Sequence, residues 1–236
     1  MRTLTEVLND SKMRGSMIPK RQDSLQTSQT DLDREDQKAR GKDMVDWIRR
    51  LKFATGIGAR FFNKTFANYT GNTQAIAICK KWASGYRENC RTGRGLFFTG
   101  NVGTGKTHLI AAIIDYIARI KKRLHFNKII YRNATSLLNE IRSSYDNNGF
   151  DTVLDRFKNA HLLIIDDLGA EKTTDWVLDI FFEIIDYRYA ELKPVIIATN
   201  LTPAEIKAKL DERIMSRIYE MCIGIKLTGK DYRKEN

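Results

Sequence analysis

The chain has 236 residues and 27.2 kDa, and 42% of its side chains are apolar, enough to bury a core without disulfides or structural metals. Its longest apolar run, Leu109–Ile114, is far too short to span a membrane, and the N-terminal MRTLTEVLNDSK has no apolar secretory stretch. Cys79, Cys90 and Cys222 form no CxxC pair and the histidines are scattered, which argues against a zinc site or disulfide framework and for a reducing, cytoplasmic setting. The net charge of +11 is uneven, because residues 51–99 hold eight basic side chains against the single acid Glu88. Such a stretch is either a solvated basic surface or a face for polyanions, nucleic acid or nucleotide phosphates.

Residues 1–42 are polar with scattered apolar side chains, and are expected to form a flexible arm with at most a short helix. From Asp43 to Phe53, Met44, Trp47, Ile48 and Leu51 recur at helical spacing. That helix either docks on the body of the protein or binds a partner, and the spacing leaves both open. The expected division is an arm over 1–53 and a single domain over 54–236.

Within the domain, Gly95–Thr99 reads as a buried strand followed by a glycine-rich turn and a helix over Lys106–Ile120. A strand at Lys128–Tyr131, a helix at Leu137–Tyr145 and a short helical stretch at Asp151–Phe157 come next. His161–Asp166 reads as a strand, Trp176–Tyr189 as a long helix and Pro194–Thr199 as a strand. Thr202-Pro203-Ala204-Glu205 is a capping box with proline at the first helical position, opening helical sequence that continues to Met221. Ile223–Leu227 reads as a last strand. Strands alternating with helices predict an α/β fold, a parallel central sheet flanked by helices on both faces.

Three segments carry the chemistry. Gly100-Asn101-Val102-Gly103-Thr104-Gly105-Lys106-Thr107 matches GxxxxGK[ST] between a predicted strand and a predicted helix. Its glycines let backbone N–H groups turn inward around phosphates, and the helix N-terminus adds its positive end. Lys106 then reaches the β- and γ-phosphates, and the Thr107 hydroxyl is a ligand for Mg²⁺. The strand Leu162–Ile165 ends in Asp166 and Asp167, at the sheet edge where α/β folds bind ligands. Asp166 is expected in the Mg²⁺ shell and Asp167 beside the attacking water. Asn200 ends the strand PVIIATN, as a turn former or as an amide between the water and the γ-phosphate. Arg213 and Arg217 lie four apart on one helical face, either paired with Asp211 and Glu212 or presented to a neighbouring subunit's nucleotide.

The segments TGRGLFFTGNVGTGKTHL, HLLIIDDLGAEKTTDW, PVIIATNLTPAEI, DERIMSRIYEMC and TGKDYR, in this order, resemble the AAA+ P-loop ATPases of the bacterial helicase-loader family, the DnaC/DnaI type. They also look like the related IstB-type transposition ATPases. The resemblance implies Walker A at Gly100–Thr107, Walker B at Asp166 and Asp167, and sensor I at Asn200. It implies an arginine finger at Arg217, with Arg213 as the fallback, and a sensor II substitute at Arg233. Phe66, Asn68 and Tyr69 in TFANY resemble the segment near the adenine, with His108 following the loop; core packing is the other reading of the aromatics. A conventional C-terminal helical lid is expected to be missing, since few residues follow Leu227. Single-stranded DNA is expected along Asn133–Lys158, including Arg142, Arg156 and Lys158, with the basic 51–99 stretch as a rival. The implied protein is an ATP- and Mg²⁺-dependent loader that binds a DnaB-type replicative helicase through its arm and self-associates through its ATPase domain. The competing readings are an IstB-like helper of a transposase on duplex DNA and a nucleotide-bound scaffold whose hydrolysis is incidental.

Overall fold

The computed structural model describes residues 41–120, 129–147 and 149–229. The expectations for the arm over residues 1–40, for Lys128 and for Arg233 lie outside the described residues. The chain divides into two compact units between Met44 and Val45, and all that follows concerns the second.

Residues 41–55 are helical (α1). From Val45 on, α1 is part of the domain, so the division falls earlier than the expected boundary after residue 53. The physical reason is burial: Ile48 and Leu51 are sequestered, and Lys52 is fully buried. The Lys52 ammonium places its three N–H donors on three acceptors, Phe62 O at 2.7 Å, Lys64 O at 3.3 Å and the Asp115 carboxylate at 2.9 Å. The apolar face anticipated at Trp47, Ile48 and Leu51 is therefore spent on the body of the protein. Two helices follow that the hydropathy pattern did not reveal, α2 (Thr73–Ser84) and α3 (Tyr86–Thr92). Asn72 caps α2 by accepting from Ala75 N, and Gly93, at φ +70°, ends α3.

The expected elements then appear in order: β1 (Gly95–Thr99), α4 (Lys106–Ile120), β2 (Ile129–Asn133), α5 (Ala134–Ser143), α6 (Phe150–Asn159), β3 (Leu162–Asp166), α7 (Asp175–Ala190) and β4 (Val195–Thr199). The capping box opens α8 (Pro203–Lys209), with both reciprocal hydrogen bonds formed. The helical sequence breaks at Leu210, which is extended, and Asp211 caps α9 (Glu212–Met221) before β5 (Cys222–Lys226).

The five strands form one parallel sheet in the order β2-β3-β4-β1-β5, as the alternation of strands and helices predicts. Successive side chains point to opposite faces and build two cores. Leu96, Phe98, Leu162, Ile164, Ile196 and Ala198 face the core covered by α2 and α4. Phe97, Leu163, Ile165, Val195 and Ile197 face the core covered by α5 to α9. Because strands and helices are buried together, β3 and β4 carry no polar residue until their last positions. The register then sets Thr99 beside Thr199 and Asn133 beside Asp166, so the polar strand ends share one edge of the sheet. Among the described residues, no helix is long and apolar enough to cross a membrane.

Candidate active site

At that edge the chain leaves β1 through the glycine-rich loop. Gly100 has φ +150°, and a Cβ there would lie 2.2 Å from Leu227 O, so only glycine fits where the exit of β5 runs beneath the loop. Leu227 N donates to Thr99 O at 2.7 Å and fastens that crossing. Gly105, at φ +91°, would place a Cβ 2.6 Å from the Tyr69 ring. Tyr69 in turn donates its phenol to Thr104 O at 3.3 Å.

Lys106 opens α4 and is nearly buried. Its ammonium donates to Gly100 O at 2.6 Å, to Asn101 O at 2.9 Å and to Asn200 Oδ1. The same amide donates through Nδ2 to Asp167 Oδ1 at 2.8 Å. Asn200 thus links the lysine of the loop to the second carboxylate of β3, an orientation dictated by a donor on one side and an acceptor on the other.

Asp166 ends β3 and is 1% exposed. Its Oδ2 accepts the Thr107 hydroxyl at 2.7 Å and the Tyr131 phenol at 2.8 Å, and its Oδ1 accepts Asp167 N at 3.0 Å. Burial pushes the Asp166 carboxyl above the ordinary range, against the pull of these donors. Burial and the neighbouring Asp166 charge raise the Tyr131 phenol well above its ordinary value, so it remains an O–H donor. The backbone turns sharply after Asp166: Asp167 sits at φ +54°, a left-handed conformation that aspartate tolerates better than most residues. Leu168 N, donating to Ala198 O at 2.9 Å, and the buried Thr199 hydroxyl, donating to Leu168 O at 2.7 Å, lock that turn onto β4.

Of the aromatics expected near a base, Tyr69 touches the loop, whereas Phe66 packs edge-on against Tyr116, with ring centres 5.9 Å apart, within the core. His108 stands edge-on to Tyr69 at 5.1 Å, with Nε2 3.0 Å from Thr65 O and 3.1 Å from Asn68 Oδ1. Two facing acceptors put the proton on Nε2, and burial holds the imidazole pKa below its usual value.

Both arginines sit on α9; Arg213 keeps a pairing that the spacing suggests, and Arg217 does not. Arg213 pairs with Asp211 at 2.9 Å and lies over the Phe182 ring. Arg217 pairs instead with Asp186 of α7 and lies over Phe182 and Tyr189. Of the basic residues expected on a DNA face, Arg156 is bound by Glu140 and Lys158 by Glu183, while Arg142 lies over the Trp176 ring at 4.7 Å.

Thr107 and Asp166 offer adjacent hard oxygens, which suit Mg²⁺ when phosphates and water complete its shell. Among the described residues no group of three or more histidines, cysteines or carboxylates could hold a metal ion. Tyr131 is the site residue that motif reading missed; its part depends on β2 lying beside β3, which no local pattern announces.

The profile of the bacterial DnaA ATPase domain matches residues 44–226. The uncharacterized protein YqaM of Bacillus subtilis (strain 168) is 30% identical over 187 residues, covering 74% of this chain and 58% of that protein. The replicative helicase loader DnaC of Buchnera aphidicola subsp. Baizongia pistaciae (strain Bp) is 26% identical over 178 residues, 72% of this chain and 69% of that one. The crystal structure of a DnaC helicase loader superposes with a TM-score of 0.64 at 28% identity, covering 72% of this chain and 100% of that one. With its parallel sheet, its phosphate loop and this likeness, the chain belongs to the bacterial DnaA ATPase-domain family and is an AAA+ protein of the DnaC/DnaI type.

Proposed function

We propose that the protein is an ATP-hydrolysing loader that binds a hexameric replicative helicase of the DnaB type and delivers it to single-stranded DNA in the cytoplasm. The observation that carries the reading is the likeness to the DnaC loader, which extends over the whole of that solved chain. The site supports the chemistry. In this reading the loop and the α4 N-terminus cradle the phosphates, and Lys106 exchanges its carbonyl partners for the β- and γ-phosphate oxygens. Thr107 and Asp166 would hold Mg²⁺, which when bound would neutralise negative charge on the phosphates. Asp167 and Asn200, already hydrogen-bonded, orient the attacking water. Tyr69 and His108 flank the base side of the loop. Arg217 of a neighbouring copy leaves Asp186 to meet the γ-phosphate, so that self-association and hydrolysis are coupled. Arg233 is assigned to the same nucleotide. Arg142, over Trp176, is the basic residue on which a strand-binding face along α5 and α6 rests.

Light scattering after gel filtration tests this reading, with the protein mixed with the replicative helicase of its host in the presence and absence of ATP. A complex heavier than the helicase hexamer, lost when residues 1–40 are deleted, is expected. The deletion stops short of α1 so that the Lys52–Asp115 pair survives. No complex in either condition, with binding to duplex DNA instead, would transfer the assignment to a transposase helper.

A further inference from the structure

The Asp166 carboxylate has a second hydroxyl partner that the phosphate-loop and strand-end motifs do not account for. Tyr131 lies on β2, in register with Ile164 of β3. Asp166 is two residues further along β3, and the two-residue repeat puts it on the sheet face of Ile164, the face against which Tyr131 packs. The phenol therefore reaches past Ile164 to Asp166 Oδ2, at 2.8 Å, where the Thr107 hydroxyl also arrives at 2.7 Å. A carboxylate oxygen accepts about two such bonds, so these donors saturate Oδ2. The Asp167 N–H on Oδ1 supplies a third restraint. Three donors, from β2, from α4 and from the residue that follows β3, thus fix the plane of one buried carboxylate.

Tyr131 is itself clamped. Its carbonyl accepts Arg132 Nη1 at 2.7 Å, and the same guanidinium donates to Thr55 O and, through Nε, to Glu140 at 2.9 Å.

We propose that Tyr131 is a positioning residue for the Mg²⁺ pair: its hydroxyl fixes the Asp166 carboxylate so that Thr107 keeps its proton on Oδ2 and turns its lone pairs toward the cation. The inference rests on the reading of Thr107 and Asp166 as that pair. Loss of the phenolic oxygen removes one of the three restraints on the carboxylate, and Thr107 is left with a less firmly held acceptor. Outer hydrogen-bond partners of metal ligands typically change metal affinity by about 10- to 100-fold. Nucleotide binding without metal relies on the loop and Lys106 and is left intact.

The test is Tyr131→Phe in the full chain, titrated with a fluorescent N-methylanthraniloyl ADP in EDTA and over a range of Mg²⁺. Equal affinity in EDTA is expected, with the Mg²⁺ concentration for half-maximal enhancement raised about tenfold. Superimposable Mg²⁺ curves for variant and parent overturn the proposal. An equal loss of affinity with and without Mg²⁺ also overturns it, because Tyr131 would then act on the loop. A parent whose nucleotide binding ignores Mg²⁺ rejects the Thr107 and Asp166 assignment itself, and the proposal with it. Should the phenylalanine variant not fold, Tyr131→Met, which also lacks a donor but packs adaptably, carries the same comparison.

Discussion

Asn200 donates its side-chain amide to Asp167 at 2.8 Å while its carbonyl oxygen accepts from Lys106, so one residue that follows β4 joins the lysine at the start of α4 to the carboxylate that follows β3. Asn200→Ala removes both contacts without touching the loop backbone. Hydrolysis is expected to fall about a hundredfold, the scale for losing one preorganised polar group, with nucleotide affinity changed only a few-fold. Steady-state turnover beside a binding titration checks this. A parallel loss of both would mean that Asn200 only shapes the loop.

Arg217 is held by Asp186 and two aromatic rings, so it is ordered before any neighbouring copy arrives. Arg217→Ala is expected to leave nucleotide binding at the parental level and to abolish the rise of specific ATPase activity with protein concentration. Parental activity at assembling concentrations would remove the finger role from Arg217, and the same assay on Arg213→Ala would test the fallback.

Lys52 is fully buried against Asp115, and Asp115 also pairs with Arg119 at 2.6 Å. Lys52→Met leaves a buried carboxylate with only its half-exposed partner. A loss of about 3 kcal/mol is expected from urea unfolding, with the m-value unchanged. The double variant Lys52→Met, Asp115→Leu is expected to regain most of that loss, since both buried charges are gone.

Glu140 links Arg132 of β2 to Arg156 of α6. Burial pushes its carboxyl up, but the two guanidinium groups prevail and hold it below the ordinary glutamate value of 4.5. A depressed folded pKa stabilises the protein fully above the unfolded value, and that contribution fades as pH falls through the folded one. Glu140→Gln is therefore expected to lower stability at neutral pH by about 1 kcal/mol and to flatten the acid limb below pH 4.5. Melting temperatures from pH 7 downward read both effects, and parallel curves for parent and variant would show that the pair contributes nothing.

The strands β1, β3 and β4 were legible because they are buried on both faces and read as apolar runs ending in polar residues. The capping box of α8 was legible because its reciprocal bonds join residues three apart. By contrast, α2 hides its buried side in Ala75, Cys79, Trp82 and Ala83, residues whose hydropathy barely marks a helical face. The partner of Arg217 was equally hidden. Spacing offered Asp211 and Glu212, yet packing of α9 against α7 brings Asp186 into reach.

By itself the sequence determined the phosphate loop, the carboxylates at the end of β3 and the order of the elements, because these depend on backbone conformation and on neighbours a few residues away. Tertiary structure decided which of those pieces touch. Strand order placed β2 beside β3, and so set the Tyr131 phenol on the carboxylate that Thr107 also engages. It also placed β4 between β3 and β1, so that Asn200 could join Asp167 to Lys106. Such contacts join side chains far apart in sequence, and only the closing of the sheet selects them from the many pairings that local patterns allow.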